Sequence, residues 1–118
     1  MKRVMQLLII SSILCVVPAG LYSAGESYTQ FSAVIVGSGS PVYNKERSGP
    51  SALIQYGGKN YLVDAGNGTQ ASLSKLGLSV RDLDGVLITH HHLDHNEEFI
   101  PLYIGACLAG GKAVFIGP

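Results

Sequence analysis

The chain has 118 residues, of which 47% are apolar and 14% charged, and its eight basic residues balance eight acidic ones. This length accommodates one domain. Neutral charge without a basic cluster argues against non-specific nucleic-acid binding through phosphate contacts. Fifteen glycines indicate many turns rather than a helical bundle, and the composition excludes a disordered or collagen-like chain.

The first 25 residues differ from the rest. Two positive charges precede an apolar run over 7–17, which is far shorter than the roughly 20 residues of a membrane span. Ser23 and Gly25 are small residues at positions −3 and −1 of a possible signal-peptidase site, so cleavage after Gly25 fits. Residues 1–25 are therefore predicted to be a signal peptide. An uncleaved anchor over 4–25 is the alternative. We therefore expect an exported protein, periplasmic or secreted, without stable membrane insertion after cleavage.

Residues 26–118 form the predicted domain, and its first part is rich in β-strands. A first strand is predicted over 31–36 and ends at a glycine- and serine-rich stretch. Two further strands over 51–56 and 60–64 are joined by Gly-Gly-Lys, whose turn residues predict a hairpin.

The second part alternates helices and strands. Thr69 is predicted to cap a helix over 70–76. The continuous apolar run 85–89 predicts a strand buried on both faces. A helix is predicted over 97–108, with a start nearer Phe99 as the alternative because Pro101 fits only a first turn. One face of this helix should hold Phe99, Leu102, Tyr103 and Ala106, and a last strand is predicted over 113–116.

The predicted domain cannot form an internal disulfide. Cys107 is the single cysteine after residue 25, so nothing within the domain can pair with it. Its apolar neighbours predict a buried, unreactive thiol.

All four histidines lie in the segment Thr89-His-His-His-Leu-Asp-His95. Imidazole and carboxylate together are ligands for zinc, iron or manganese. His90 and His92 are two residues apart, so on extended backbone they project to one side and could share an ion. Asp94 and His95 follow and could hold a second ion. Two adjacent ions activate water and stabilise a leaving oxygen.

Two other interpretations of this segment are weaker. A surface histidine run or a purification tag would be contiguous and terminal, whereas this segment is internal, follows a buried strand and includes Asp94. The helical His-Glu-x-x-His zinc motif is absent, because residue 92 is not Glu. His91 should point away from the ions, as a supporting or surface residue.

The pattern His90-x-His92-x-Asp94-His95 resembles the H-x-H-x-D-H signature of the metallo-β-lactamase superfamily. Stretches 36–41, 47–51, 61–69 and 87–90 resemble the N-terminal half of its ribonuclease Z and arylsulfatase-like branch. The resemblance implies an α/β fold, the αββα metallo-β-lactamase sandwich, with this chain as an incomplete, N-terminal half.

The resemblance also implies residue roles. His90 and His92 would bind one divalent ion, and Asp94 and His95 a second, with zinc expected ahead of manganese or iron. Asp94 would also be the catalytic proton acceptor. Asp64 would be a supporting aspartate beneath the metal loop, orienting a ligand histidine. A turn-capping role for Asp64 is the alternative.

Two departures qualify the resemblance. Ribonuclease Z carries a small residue where this chain has Leu93, and this change, with the export signal, counts against tRNA processing. No His or Asp follows His95, whereas the family takes further ligands from its second half. We therefore expect little or no activity from this chain alone, and an exposed apolar face where the other half would pack.

The expected function is the N-terminal portion of an exported metal-dependent hydrolase, in which a metal-activated water attacks a phosphate, sulfate or carboxylic ester. The alternatives are a truncated, non-catalytic metal-binding fragment and a ribonuclease Z-like phosphodiesterase. The expected partner is a small-molecule ester substrate and not a nucleic acid. A homo-oligomer, or a partner chain that supplies the missing half, is a further expectation.

Overall fold

A computed structural model describes residues 30–118, so the predicted signal peptide lies outside the described residues and its export function stays a prediction. Five strands form one sheet in the order of the sequence. The strands are β1 (Ser32–Gly37), β2 (Ser51–Tyr56), β3 (Lys59–Val63), β4 (Gly85–Leu87) and β5 (Val114–Ile116). The helices are α1 (Thr69–Lys75), α2 (Leu93–Asn96) and α3 (Phe99–Ala109), and a 3-10 turn spans Val80–Asp82.

The sheet is mixed. β1, β2 and β3 form an antiparallel meander, and the β2–β3 pair is the predicted hairpin. β4 and β5 are added in parallel to β3. Because β3 and β4 are parallel, their carboxyl ends meet at one edge of the sheet. The segments that follow these two strands, which begin at Asp64 and Ile88, are therefore neighbours.

One apolar core holds these strands and the two longer helices together. Leu53, Leu62 and Val86 lie on adjacent strands in register and are completely buried. Leu73 of α1 and Leu102 of α3 belong to the same cluster. Burying a side chain of this size contributes about 1.5–3 kcal/mol. The core thus fixes β3 and β4, from which the histidine segment extends.

The helix boundaries differ slightly from those predicted. α3 begins at Phe99, as in the alternative that places Pro101 in the first turn, and a separate short helix, α2, precedes it. α1 begins at Thr69, so Thr69 is not its cap, and this prediction was wrong. The Thr69 hydroxyl instead donates to the carbonyl of Gly66 at 2.7 Å.

The prediction of a buried Cys107 was also wrong, because this thiol is exposed. α3 is apolar on nearly every side, so its sequence does not distinguish an inner from an outer face. Leu102 and Ala106 face the core, whereas Tyr103 is about half exposed. Other large apolar side chains of α3 are exposed, namely Ile100, Ile104 and Leu108. Across residues 30–118, no helix is long and apolar enough to cross a membrane.

Candidate metal centre

Three imidazoles cluster at the carboxyl end of β4. His90 and His92 follow the strand on non-helical backbone, and their ring centroids are 4.5 Å apart. His95, on α2, brings its ring centroid to 4.1 Å from that of His90. The Asp94 carboxylate Oδ2 lies 3.7 Å from His95 Nε2. The structure therefore brings together all four residues that the sequence predicts as ligands.

Asp64 lies beside this cluster as a buried carboxylate. It follows β3 with a φ of 61°, a left-handed conformation uncommon for a residue with a side chain. The carboxylate accepts hydrogen bonds from Thr89 N at 2.8 Å, from the Thr89 hydroxyl and from His95 Nδ1 at 2.8 Å. These contacts join two segments 25 residues or more apart, and they are the orienting contacts expected of a supporting aspartate.

The pKa of Asp64 reflects these contacts. Burial raises the pKa of the carboxyl, but the hydrogen bonds from Thr89 N–H, from His95 and from the Thr89 hydroxyl lower it by more. The resulting pKa lies below the ordinary value, so Asp64 is a carboxylate at neutral pH. As a carboxylate it can only accept hydrogen bonds.

The acceptor role of Asp64 determines the tautomers of two histidines. His95 Nδ1 must carry a hydrogen to donate to Asp64. The single Thr89 hydroxyl hydrogen is also directed at Asp64, so Thr89 Oγ1 accepts from His90 Nδ1 at 2.9 Å. In the neutral forms of His90 and His95, the Nε2 lone pair is then free to bind an ion.

His91 is arranged differently from the other three histidines. Its Nε2 donates to the carbonyl of Pro118 at 2.8 Å, and its Nδ1 accepts from the side-chain amide of Asn96 at 3.2 Å. Both ring nitrogens are therefore engaged, and neither is free for an ion. His91 is thus bonded to Pro118 and Asn96, and its exclusion from the metal ligands stays a prediction.

The loop after β3 supports the histidine segment through its backbone. Ala65 N donates to His95 O at 2.7 Å, and Glu98 N donates to Ala65 O at 2.8 Å. Gly66 packs so closely that a β-carbon there would collide with the Asp94 carbonyl and with Gly49. The N–H and the C=O of Ala65 thus both bind the segment that carries Asp94 and His95, and they hold it against the end of β3.

Two residues that support the site, Thr89 and Glu98, were not predicted from the sequence. Thr89 connects Asp64 to His90, and only its position just before the first histidine indicated a role in the site. The Glu98 carboxylate accepts from Gly68 N at 2.7 Å and from Gln70 N at 2.8 Å, thereby capping α1. No local pattern indicates this second contact, because about 30 residues separate the partners.

The side chains of this cluster are of the types that bind divalent ions. Within the described part of the chain, no three or more His, Cys, Asp or Glu side chains are arranged around a single ion. His90 is adjacent to both His92 and His95, and Asp94 is adjacent to His95, so these donors are close enough in pairs to share an ion. Imidazole nitrogens and a carboxylate oxygen are the ligand types of zinc, iron and manganese. Each pair would leave coordination positions for further ligands.

A cleft of about 440 Å³ opens beside these residues. His92, Asp94 and Glu97 line it on one side, and Tyr43 and Arg47 of the loop after β1 line it as well. A ligand in this cleft would contact His92 and Asp94, two of the four candidate metal ligands.

Comparison with solved structures defines the class of protein. The chain superposes on the metallo-β-lactamase fold protein YhfI from Bacillus subtilis with a TM-score of 0.64 at 25% identity, over 74% of this chain and 36% of that one. The short form of human tRNase Z gives a TM-score of 0.56 at 21% identity, over 75% of this chain and 42% of that one. The predicted α/β fold is confirmed, and the described residues form part of a metallo-β-lactamase fold.

Sequence comparison narrows this class. Ribonuclease Z of Methanopyrus kandleri is 38% identical over 70% of this chain but 30% of its own length. The chain thus spans less than a third of that relative. The family model described as anti-Pycsar protein Apyc1 matches residues 31–98, more than half of the chain. The chain belongs to this family, and the predicted ribonuclease Z-like branch of the metallo-β-lactamase superfamily is confirmed.

Proposed function

We propose that the chain carries the metal-binding part of a metal-dependent hydrolase that cleaves phosphate esters. The observation that carries this proposal is the cluster of His90, His92, Asp94 and His95, in which Asp64 orients His95 and, through Thr89, His90, and from which His92 and Asp94 line a cleft. His90 and His92 would bind one divalent ion and Asp94 and His95 a second, with zinc as the proposed metal.

Each residue of the site would have a separate task. Bound ions would polarise the ester and supply the acidity that water needs to react near neutral pH. Asp64 holds His95, and through Thr89 also His90, with Nε2 directed away from the supporting hydrogen bonds. Asp94 is the proposed proton acceptor, and its position on the cleft wall gives it access to a substrate there.

Phosphate esters are the proposed substrates, ahead of sulfate and carboxylic esters. Ribonuclease Z, the relative with 38% identity, acts by its name on a phosphodiester polymer. Arg47, which also lines the cleft, would attract an anionic ester and discriminate against a neutral one.

A ribonuclease Z-like phosphodiesterase is the second candidate, and the identity to ribonuclease Z favours it. Leu93 favours the small-molecule esterase, because this exposed side chain lies on the cleft where ribonuclease Z carries a small residue. If the chain is exported, as its first 25 residues predict, it would be separated from cytosolic tRNA.

The first test is zinc binding by the full 118-residue chain, measured by competition with a chromophoric chelator. We expect His95→Ala and Asp94→Asn to weaken zinc binding strongly, whereas His91→Ala should leave it unchanged because both His91 nitrogens are engaged elsewhere. Equal losses for His91→Ala and His95→Ala would contradict the proposed ligand set.

The second test concerns the reaction. The zinc-loaded chain is assayed with nitrophenyl esters of phosphate, sulfate and acetate. We expect slow hydrolysis at most, because each ion has two ligands from this chain, with any zinc-dependent turnover confined to the phosphate ester and abolished by Asp94→Asn. Preferential hydrolysis of the sulfate or acetate ester would overturn the substrate class.

A further inference from the structure

A groove with basic walls lies next to the cleft. Its volume is about 310 Å³, and it runs between the loop after β1 and helix α1. Lys45, Arg47 and Lys75 line it, and Glu46 is the one acidic side chain among its described lining residues. The groove therefore carries a net positive charge.

These three cations are available to bind a ligand. Residues 30–118 contain six basic residues: Lys45, Arg47, Lys59, Lys75, Arg81 and Lys112. Lys59 and Lys112 pair with Asp84, and Arg81 lies outside the groove. Within the same range, none of the three groove cations is within ion-pair distance of a carboxylate, so three of the six Lys and Arg residues line one groove without a paired carboxylate.

The groove adjoins the cleft that is lined by His92 and Asp94, two of the candidate metal ligands. Tyr43, Asn44, Arg47 and Asn67 line both spaces. Arg47 therefore stands between the groove and the part of the cleft formed by His92 and Asp94. A single ligand could place one group at the metal ligands and another among the groove cations.

We propose that this groove is a second anion subsite, which binds an additional phosphate group of the substrate. This inference rests on the proposed phosphoesterase function and narrows its substrates to small-molecule esters with at least two anionic groups. Arg47 would hold the second phosphate through paired N–H donors, and Lys45 and Lys75 would add point charges. The groove residues would then determine specificity, at a distance from the reacting bond.

The first experiment tests the groove without any metal. Inorganic phosphate is titrated into the full chain, kept metal-free with a chelator, and followed by NMR chemical shifts. We expect the amide signals around Lys45, Arg47 and Gly68 to move. Arg47→Gln and Lys75→Gln should each weaken binding about five- to tenfold, less at high salt.

The matched control is Arg81→Gln, which removes the same charge from an exposed arginine outside the groove. It should leave phosphate binding unchanged. Absence of binding in the wild-type chain, or an equal effect of the Arg47 and Arg81 substitutions, would overturn the subsite.

The second experiment tests whether the groove binds the second phosphate group of a substrate or only a free anion. The zinc-loaded chain is titrated with phenyl phosphate and with fructose 1,6-bisphosphate as probes. We expect the bisphosphate to bind about tenfold more tightly, with this advantage lost in Lys75→Gln, which alters the groove alone, and kept in Arg81→Gln. Equal affinity for the two probes would show a site for free anions and overturn the substrate inference.

The two proposals fail in different ways. A chain that does not bind zinc contradicts the proposed metal site, while the metal-free phosphate titration still decides whether the groove binds anions. A chain that binds zinc but shows no Lys75-dependent phosphate binding contradicts only the groove, because Lys75 lines the groove and not the cleft.

Discussion

At the scale of single residues, Asp64 and Thr89 organise the site. One carboxylate accepts from His95 directly and controls His90 through the Thr89 hydroxyl. This arrangement sets the hydrogen position on both imidazoles before any ion is present. Supporting hydrogen bonds of this kind orient metal ligands and raise their basicity.

Thr89→Val tests this role, because valine has nearly the same shape but no hydroxyl. His90 Nδ1 would lose its acceptor, and Asp64 would lose one donor. We expect zinc affinity to fall about 10- to 100-fold, measured by chelator competition. Thr89→Ser, which keeps the hydroxyl, is the control and should bind nearly as wild type. Equal affinities for the valine and serine variants would exclude the proposed connection.

At the scale of elements, the first turn of α1 depends on the residue that precedes α3. Glu98 bonds the amides of Gly68 and Gln70, two donors left free at the start of α1. α1 has no cap from its own N-cap residue, Gly68. The histidine segment is therefore fixed at one end by β4 and at the other by this contact with α1.

Glu98→Ala should lower the free energy of unfolding by about 1 kcal/mol, the usual cost of losing a helix cap. Chemical denaturation of the full chain measures it. Glu97→Ala is the control, because the exposed Glu97 accepts only from the Asn67 side chain in the described structure and should cost less. A larger loss for Glu97→Ala would show that capping by Glu98 does not stabilise α1.

Local patterns predicted much of this architecture but not its long-range contacts. The glycines between β2 and β3 predicted the hairpin, and the spacing of His90, His92, Asp94 and His95 predicted their proximity. The capping of α1 by Glu98 joins residues far apart in sequence, so no periodicity reports it. α3 was predicted as a helix, but Cys107 was wrongly predicted to be buried. The sequence of a helix that is apolar on nearly every side does not show which side faces the solvent.

At the scale of the whole molecule, an aspartate at the opposite end of the sheet joins three strands. Asp84, just before β4, accepts from Asn60 N at 3.0 Å and pairs with Lys59 and Lys112 at 3.1 and 2.9 Å. Burial raises the pKa of Asp84, but the hydrogen bonds from Asn60, Lys112 and Lys59 lower it by more. The pKa thus lies below the ordinary value of 3.8.

A lowered pKa in the folded state means that ionised Asp84 stabilises the fold above its unfolded-state pKa, and that this contribution is lost as pH falls through the folded-state pKa. Asp84→Asn should cost about 1–2 kcal/mol at pH 7. The difference from wild type should shrink as the pH falls below about 4. Denaturation at several pH values measures it, with the exposed Glu46→Gln as control; a difference that does not vary with pH would contradict the assignment.

The left-handed backbone of Asp64 has a consequence for how the protein can be improved. A residue with a side chain pays for this conformation, whereas glycine adopts it freely. Asp64→Gly would relieve that strain and at the same time remove the carboxylate that orients His90 and His95. The same substitution would also remove the hydrogen bonds that lower the pKa of Asp64, and through which this carboxylate stabilises the fold at neutral pH. One side chain therefore serves both the stability of the fold and the order of the site, so a glycine that relaxes the backbone gives up both.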